Sequence, residues 1–504
     1  MTRTVSTIDP ATLPDDVDAC HALIRELLDT LQHEHRHIER LEHRLQLLLR
    51  QRFGQSAEKV SRDQLLLFAR EILEGVEAAP KPAPEIVVKE HQRHGRRKLP
   101  ADLPRIRIEH DVPEGEKCCP DCGQPRTPFG AEITEQLEYE PAKMHVIEHV
   151  RLKYVCKACE GNIVIADKPR QAIEKCLAGP GLLAQVVVNK YGDHQPLHRL
   201  EKILKRHGVE LPRSTMCDWM AGCAAALRPL QERMRRLVRS SAVIHTDDTP
   251  VPVQAKGRGR TKPGRFWVYV GDRDHRYAVF EYTPDRAASG PQGWLKTYEG
   301  YLQADAYAGY QALYDTGLVT EVACWAHARR KFYDARATNP SVCLQALAWI
   351  RKLYAIEREA REQELEPEQV LARRQERSVP LLEQIRPWLD EQDVLPKSPT
   401  GAAIEYVRSR WDAFTRYTTD GLLAIDNNPA ENALRRVALG RKNWLFAGSD
   451  RGGHTAATLF SLIASAALQE LDPYRWLRDV LTRIADTPLS QLDELLPDRW
   501  KAGR

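Results

Sequence analysis

The sequence predicts a multidomain α+β protein, and three observations predict it. Apolar residues recur at alternating spacings of three and four between 20 and 52. Two CxxC pairs fall between 118 and 160. Beyond Ala242 the apolar period changes from helical to alternating, as strands require. At 504 residues, with 42% apolar and 29% charged side chains, the chain exceeds one ordinary domain and has the composition to build several cores.

The first element is a helix with an apolar seam of Ile24, Leu27, Leu31, Ile38, Leu41, Leu45 and Leu48, interrupted at Glu34. About four heptads are long enough for a coiled coil, expected within 20–75 and expected to pair chains into a homo-oligomer. The same seam fits an amphipathic helix packed on its own protein. His33, His35, His37 and His43 lie mostly off the seam, as on a solvated face. Prolines at 80, 82, 84, 100 and 104 then break the pattern, and 78–104 reads as a linker.

Residues 105–170 form the expected zinc-binding segment. Cys119 with Cys122, and Cys156 with Cys159, each offer two thiolates at the spacing a tetrahedral Zn²⁺ accepts. Cys118 can take the place of Cys119. Strand-like alternation between the pairs suggests a zinc-ribbon-like arrangement. "MTRTVSTIDP" has no signal-peptide core, and the longest apolar run, 457–468, is too short to span a bilayer. The chain is therefore expected in the cytoplasm, without a membrane, its eleven cysteines reduced or metal-bound.

Residues 175–235 read as three short helices. Pro196 opens the second, Gly208 closes it, and Ser214 is placed as N-cap of the third. With Lys202, Lys205, Arg206 and Arg213 nearby, the set fits a helix-turn-helix-like DNA-binding region, as it fits many helical bundles. Net charge is only +4, but basic residues cluster at 94–100, 256–265 and 435–442. Such patches can steer phosphate backbones, and can equally be solvated surface.

From 240 to 340 the predicted order is three strands, helix, strand, helix, strand, helix. That is the order of a ribonuclease-H-like domain, closed by residues 425–470. An α-helical insertion is expected over 341–424, where Trp349, Leu353, Ile356, Leu381, Ile385 and Trp388 recur in a charged background, and a C-terminal helical tail over 471–504.

Asp247 falls in the first strand of this domain and Asp305 at the end of the fourth. Phosphodiester transfer leaves negative charge on the attacking and leaving oxygens. Two divalent ions about 4 Å apart can hold both, and they require hard oxygen ligands. Clustered carboxylates repel one another unless cations sit among them. Asp248 adjoins Asp247 on the opposite strand face, so only one of the two can serve. Glu431, in "IDNNPAENALRR", is a third candidate; it also fits a capping box with Asn428 and Pro429, and Asp426 is a further acid in reach.

At this point the chain resembles a known family, the insertion-sequence-66 (IS66) transposases, over nearly its whole length. The matching phrases are "RFGQSAEK" (52–59), "CPDCG" with "CKAC", "KYGDHQPLHR" (190–199), "TDDTPVPV" (246–253), "LQADAYAGY" (302–310), "CWAHARRKF" (324–332), "NNPAENALR" (427–435) and "GRKNWLFAGSDRGG" (440–453). The resemblance implies a DDE-type transposase with Asp247, Asp305 and Glu431 as its metal-binding, catalytic carboxylates, using Mg²⁺ or Mn²⁺. It selects Asp247 over Asp248; this sequence has Asp248 where the family more often carries glutamate. His327 matches a family phrase and reads either as a near-site residue or as a satisfied buried histidine. Arg329, Arg330 and Lys331, with Arg435, Arg436, Arg441 and Lys442, are the expected DNA phosphate contacts.

The expected partners are the DNA of the element's terminal repeats and of the target, with small accessory proteins encoded by the same element; the expected setting is the bacterial nucleoid. Two rivals stand beside this reading: a catalytically inactive, zinc-containing DNA-binding protein derived from a transposase, and a stand-alone nuclease of ribonuclease-H type. The second leaves the coiled coil, zinc segment and insertion without a role.

Overall fold

The computed structural model describes residues 144–154, 164–255, 257 and 259–500. The chain divides into two compact units, and everything described from His149 onward lies in one of them. The coiled-coil seam, the proline-rich linker and all of Cys118, Cys119, Cys122, Cys156 and Cys159 lie outside the described residues.

Strands β1 (Lys153–Tyr154) and β2 (Val164–Ile165) form a two-stranded antiparallel pair. The alternating run before β1 is not a strand in residues 144–152. Val146, Ile147, Val150 and Leu152 are exposed there, and alternation without a surface to cover does not hold a strand.

Three helices follow: α1 (Pro180–Tyr191), α2 (Leu197–Arg206) and α3 (Arg213–Arg239). Pro196 precedes α2 as expected, and Gly208 takes the positive φ that ends it. The third helix is not short. It runs for 27 residues because Leu227, Leu230, Met234 and Val238 carry the buried stripe of Met216, Met220 and Cys223 on past Ala224. Nor does Ser214 cap it: Pro212 occupies the N-cap, with no side-chain cap bond.

The larger unit is built on one mixed five-stranded sheet in the order β5-β4-β3-β6-β7. Its strands are β3 (Val243–Gln254), β4 (Thr261–Val270), β5 (Ala278–Thr283), β6 (Gly300–Gln303) and β7 (Val319–Val322). The first three form an antiparallel meander, and β6 and β7 then add in parallel on the other side of β3. The crossovers hold α4 (Ser289–Leu295), between β5 and β6, and a short α5 (Gln311–Tyr314), between β6 and β7. After β7 comes α6 (Trp325–Ala335), which buries Trp325, Ala328, Phe332 and Ala335 and turns its basic residues outward.

Residues 340–418 are almost wholly helical. They comprise α7 (Pro340–Glu362), α8 (Pro367–Arg373), a π-helical turn (Arg374–Ser378), α9 (Val379–Asp390), α10 (Pro399–Arg408), α11 (Trp411–Thr415) and a closing 3₁₀ turn. They build a second core, containing Leu353, Ile385, Val407 and Phe414, against β7 and α6. Then α12 (Asn428–Trp444) crosses β3 and β4. Next, α13 (Asp450–Leu468) packs on β4 and β5, and α14 (Pro473–Arg483) on α1.

β4 is buried continuously from Phe266 to Val270 because both its faces are covered. Phe266 meets Phe460 of α13, while Trp267 and Tyr269 meet Tyr307, Tyr310 and Trp294 on the other side. Helix α13 also closes the open sheet edge. The N–H groups of Ala278 and Phe280 in β5 donate to the hydroxyls of Ser465 and Ser461 at 3.1 and 2.8 Å, so the edge offers fewer free donors to another chain.

Candidate active site

The ladder brings two of the predicted acids together. His245 of β3 pairs in parallel with Gln303 of β6, and Asp247 and Asp305 each lie two residues beyond that pair. Continuing the register sets them side by side, Asp247 within β3 and Asp305 just past the end of β6. Antiparallel pairing also separates Asp247 from Asp248. Asp247 stands opposite Val268 and Asp248 opposite Trp267, and residues directly opposite share a face. Asp248 therefore shares the Trp267 face, and Asp247 the face crossed by α12.

Helix α12 brings Glu431. It buries Ala430, Leu434, Val437 and Gly440 against the sheet, which leaves Glu431, one residue past Ala430, at the edge of the contact. A capping box does not form here. The N-cap is Asn427 and makes no side-chain cap bond, while Asp426 accepts from the N–H and side-chain amide of Asn428 at 3.2 and 2.8 Å. The Asn427 side chain is used elsewhere. It is fully buried; its Nδ2 donates to the Thr246 carbonyl at 2.8 Å, and its Oδ1 lies 3.2 Å from Nδ1 of His245. Its backbone N–H donates to the Cys324 sulfur at 3.2 Å. One asparagine thus ties the strand of Asp247 to the helix of Glu431 and to the start of α6.

The four acids differ in their partners. Asp248 is clamped by Arg265 at 2.7 Å and Arg286 at 2.8 Å, and Arg286 reaches on to Asp305 at 3.6 Å. Glu431 has His327 at 3.7 Å and Arg330 at 3.5 Å. Asp247 has no such cation: among the described residues no basic side chain comes within 4 Å of it, and the N–H of Asp248 donates to its Oδ1 at 2.8 Å. Burial, with the charges of Asp305, Asp248 and Glu431 adding to it, pushes the Asp247 carboxyl up to about 7. Burial raises Asp305 too, against the pull of His327 and Arg286. Burial lowers His327, although Glu431 and Asp305 favour its charged form.

The donor types suit a divalent cation, although among the described residues the carboxylates of Asp247, Asp305 and Glu431 do not all come within 4.8 Å of one another. Nδ1 of His327 and Oε1 of Glu431 are buried without a hydrogen-bond partner, and Asp247 is a desolvated carboxylate with no counter-charge. Cys324, His327 and Glu431 offer atoms within 4.8 Å of one another. The Cys324 thiol is a poor ligand, however, because burial pushes it up to about 12 and its sulfur already accepts from Asn427.

A sequence profile described as Transposase IS66 family matches residues 175–455. The chain belongs to the IS66 transposase family. Further IS66 profiles match around that region: a zinc-finger binding domain at 116–160, a C-terminal element at 461–497, and at 40–108 one described as Transposase C of IS166 homeodomain. The uncharacterized protein y4hP of Sinorhizobium fredii is 35% identical over 496 residues, covering 92% of this chain and 88% of that protein. Two more uncharacterized proteins of that organism, y4jD and y4qI, are each 34% identical over 81% of this chain.

In this IS66 chain the expected DNA-contacting residues separate by exposure. Arg329, Arg330, Lys331, Arg435 and Lys442 are exposed. Arg436 is partly buried, and burial lowers its pKa. Arg441 is likewise half-covered and donates to the carbonyl of Pro250, so its guanidinium ties α12 to β3. Sequence reasoning missed Asn427, His245, Arg265, Arg286 and Cys324. The phrases "CWAHARRKF" and "NNPAENALR" contained two of them, but only the fold reveals what they touch.

Proposed function

We propose that the chain is a DDE transposase in which Asp247, Asp305 and Glu431 hold the divalent ions for strand cleavage and strand transfer at the ends of its own element. The observation that carries the reading is the convergence of these three carboxylates, from β3, the end of β6 and α12, around Asp247, a buried acid without a counter-ion. The strand order β5-β4-β3-β6-β7, with an antiparallel meander followed by two parallel additions, supports a ribonuclease-H-like core over 240–340 and 425–470, with 341–424 inserted into it.

Magnesium or manganese held by the three carboxylates would activate the attacking oxygen and neutralise the leaving one. His327 stands beside Glu431 at 3.7 Å, while Arg330 donates to that carboxylate's other oxygen at 3.5 Å. Arg286 holds Asp248 and Asp305 together, which keeps Asp248 out of the Asp247 side of the strand. Exposed Arg329, Lys331, Arg435 and Lys442 hold the DNA backbone beside the acids and position it without reading sequence. In the first step water forms a bond to phosphorus as the bond to the 3′ oxygen breaks, leaving a 3′-hydroxyl and a 5′-phosphate. In the second that hydroxyl attacks a target phosphodiester and displaces the target's 3′ oxygen, so one phosphodiester replaces another.

Residues 175–235 and the zinc segment, with Cys119, Cys122, Cys156 and Cys159 as ligands, bind the terminal repeats. The 20–75 coiled coil pairs two chains across the element's ends. Small proteins encoded by the same element assist.

The test is incubation of purified full-length chain with labelled duplex carrying the flanking terminal repeat and Mg²⁺ or Mn²⁺, beside Asp305→Asn. Nicking at the repeat end by the parent alone supports the reading. Binding with no nicking, accessory proteins included, would leave a DNA-binding protein that has lost its chemistry.

A further inference from the structure

The last turn of α12 ends in an unusual way. Leu445 has φ +61° and ψ −46°, and the N–H of Phe446 donates to the Trp444 carbonyl at 2.7 Å. Together these make a γ-turn of the rare, strained hand, centred on a residue with a bulky side chain. The turn sends two neighbouring apolar side chains outward, Leu445 64% exposed and Phe446 44% exposed. It is rigidly mounted: the N–H of Ala447 donates to the Pro252 carbonyl, and the N–H of Gln254 to the Ala447 carbonyl, both at 2.8 Å. Strain and exposed apolar surface both oppose folding, and strain of this kind gathers at functional positions.

The rest of the helix points to what this end meets. Its exposed stripe is Asn428, Pro429, Asn432, Arg435, Leu439 and Lys442, leading to Leu445 and Phe446. Among these residues there is no acid and there are two cations. The stripe starts at the turn that carries Glu431. From Glu431 to Leu445 a helix rises about 21 Å, the length of roughly six base pairs.

We propose that this stripe is a track for duplex DNA leading away from the carboxylates, and that Leu445 and Phe446 insert against a base about six pairs from the reacting phosphate. Arg435 and Lys442 neutralise the backbone along the way. The apolar pair unstacks one step, as apolar wedges on DNA-bending proteins do. This deepens the transposase reading and rests on it.

The experiment uses full-length chain carrying Asp305→Asn, so that binding is measured apart from cleavage. The probe is a 30-base-pair duplex ending in the flanking terminal repeat, with 2-aminopurine placed singly at positions three to nine from the end. Protein should raise 2-aminopurine fluorescence near position six. Leu445→Ser/Phe446→Ser should abolish that rise and weaken binding roughly five-fold or more with an unchanged salt slope. Arg435→Gln/Lys442→Gln should instead reduce the slope of log affinity against log salt by about 2. Leu445→Gly should keep or raise the melting temperature, since glycine accepts positive φ, yet lower the fluorescence response; this separates contact from folding.

Unchanged affinity and fluorescence in the double serine variant would overturn the proposal. So would a change from dimer to monomer on sedimentation, which would give the patch to a second copy. Failure of the parent to bind the duplex would sink both this and the transposase reading, whereas binding without nicking by the chain with Asp305 intact, accessory proteins included, would sink the transposase reading alone.

Discussion

Asp247 is a carboxylate that the fold holds against its own preference. Its proton is retained to about pH 7 in the folded chain, against 3.8 for an ordinary aspartate. Between those values the folded state binds more protons than the unfolded one, so stability falls as pH rises through that window. Asp247→Asn removes this penalty and keeps the oxygen that accepts from Asp248. In metal-free buffer at pH 8, calorimetry should show the variant melting above the parent, the gap closing toward pH 4, while nicking is lost; a lower melting point at pH 8 would contradict the account. Asn427 works the other way. Asn427→Ala orphans the Thr246 carbonyl and the His245 ring, at roughly 1–3 kcal/mol for each buried group. Urea unfolding should show a loss of about 2–6 kcal/mol, with nicking reduced more than ten-fold as Glu431 loses its register with Asp247; a chain with parental stability and rate would remove Asn427 from the site. The acids were nominated from their surrounding phrases through the family resemblance. Asn427 was not, since its partners lie far along the chain and its nearest apparent role was helix capping.

Among the elements, the helical block is held by a buried ion pair. Arg374 donates to both Glu357 oxygens at 2.8 and 2.7 Å and to the carbonyls of Tyr417 and Asp420 at 2.7 and 3.0 Å. The π-helical turn starting at Arg374 widens the backbone where this side chain enters the core. Arg374→Met leaves Glu357 charged and unpaired, and chemical unfolding should record a loss of about 3–5 kcal/mol. Arg374→Met with Glu357→Leu should recover most of it; a double variant no better than the single would show that the carbonyl bonds dominate. Element order from β3 to α6 could be read from the change in apolar period and the turn residues. The length of α3 could not, because Pro229 and the run of alanines hid a buried stripe that continues to Val238. Nor could the alternating run at 144–152 be recognised as non-strand, since alternation states a face and not whether anything covers it.

For the whole molecule, the described cysteines Cys176, Cys217, Cys223, Cys324 and Cys343 are free thiols, which leaves the CxxC pairs as the zinc candidates. Elemental analysis of the purified chain should give one zinc per chain, lost in Cys156→Ser, with the tryptophan fluorescence of the sheet domain unchanged; retained zinc in that variant would move the site elsewhere. No helix among the described residues is long and apolar enough to cross a membrane. The apolar run at 457–468 lies in α13, which is buried nearly all round on the sheet instead. By itself the sequence determined the family and the order of strands and helices through the sheet, and it nominated the three acids, because short-range periodicity and contiguous phrases carry that information. Only the tertiary structure decided which face Asp247 takes, what Asn427 and Arg286 hold, and which arginines stay exposed. Those are set by ladder register and by contacts between residues as much as 191 positions apart, where no local pattern reaches.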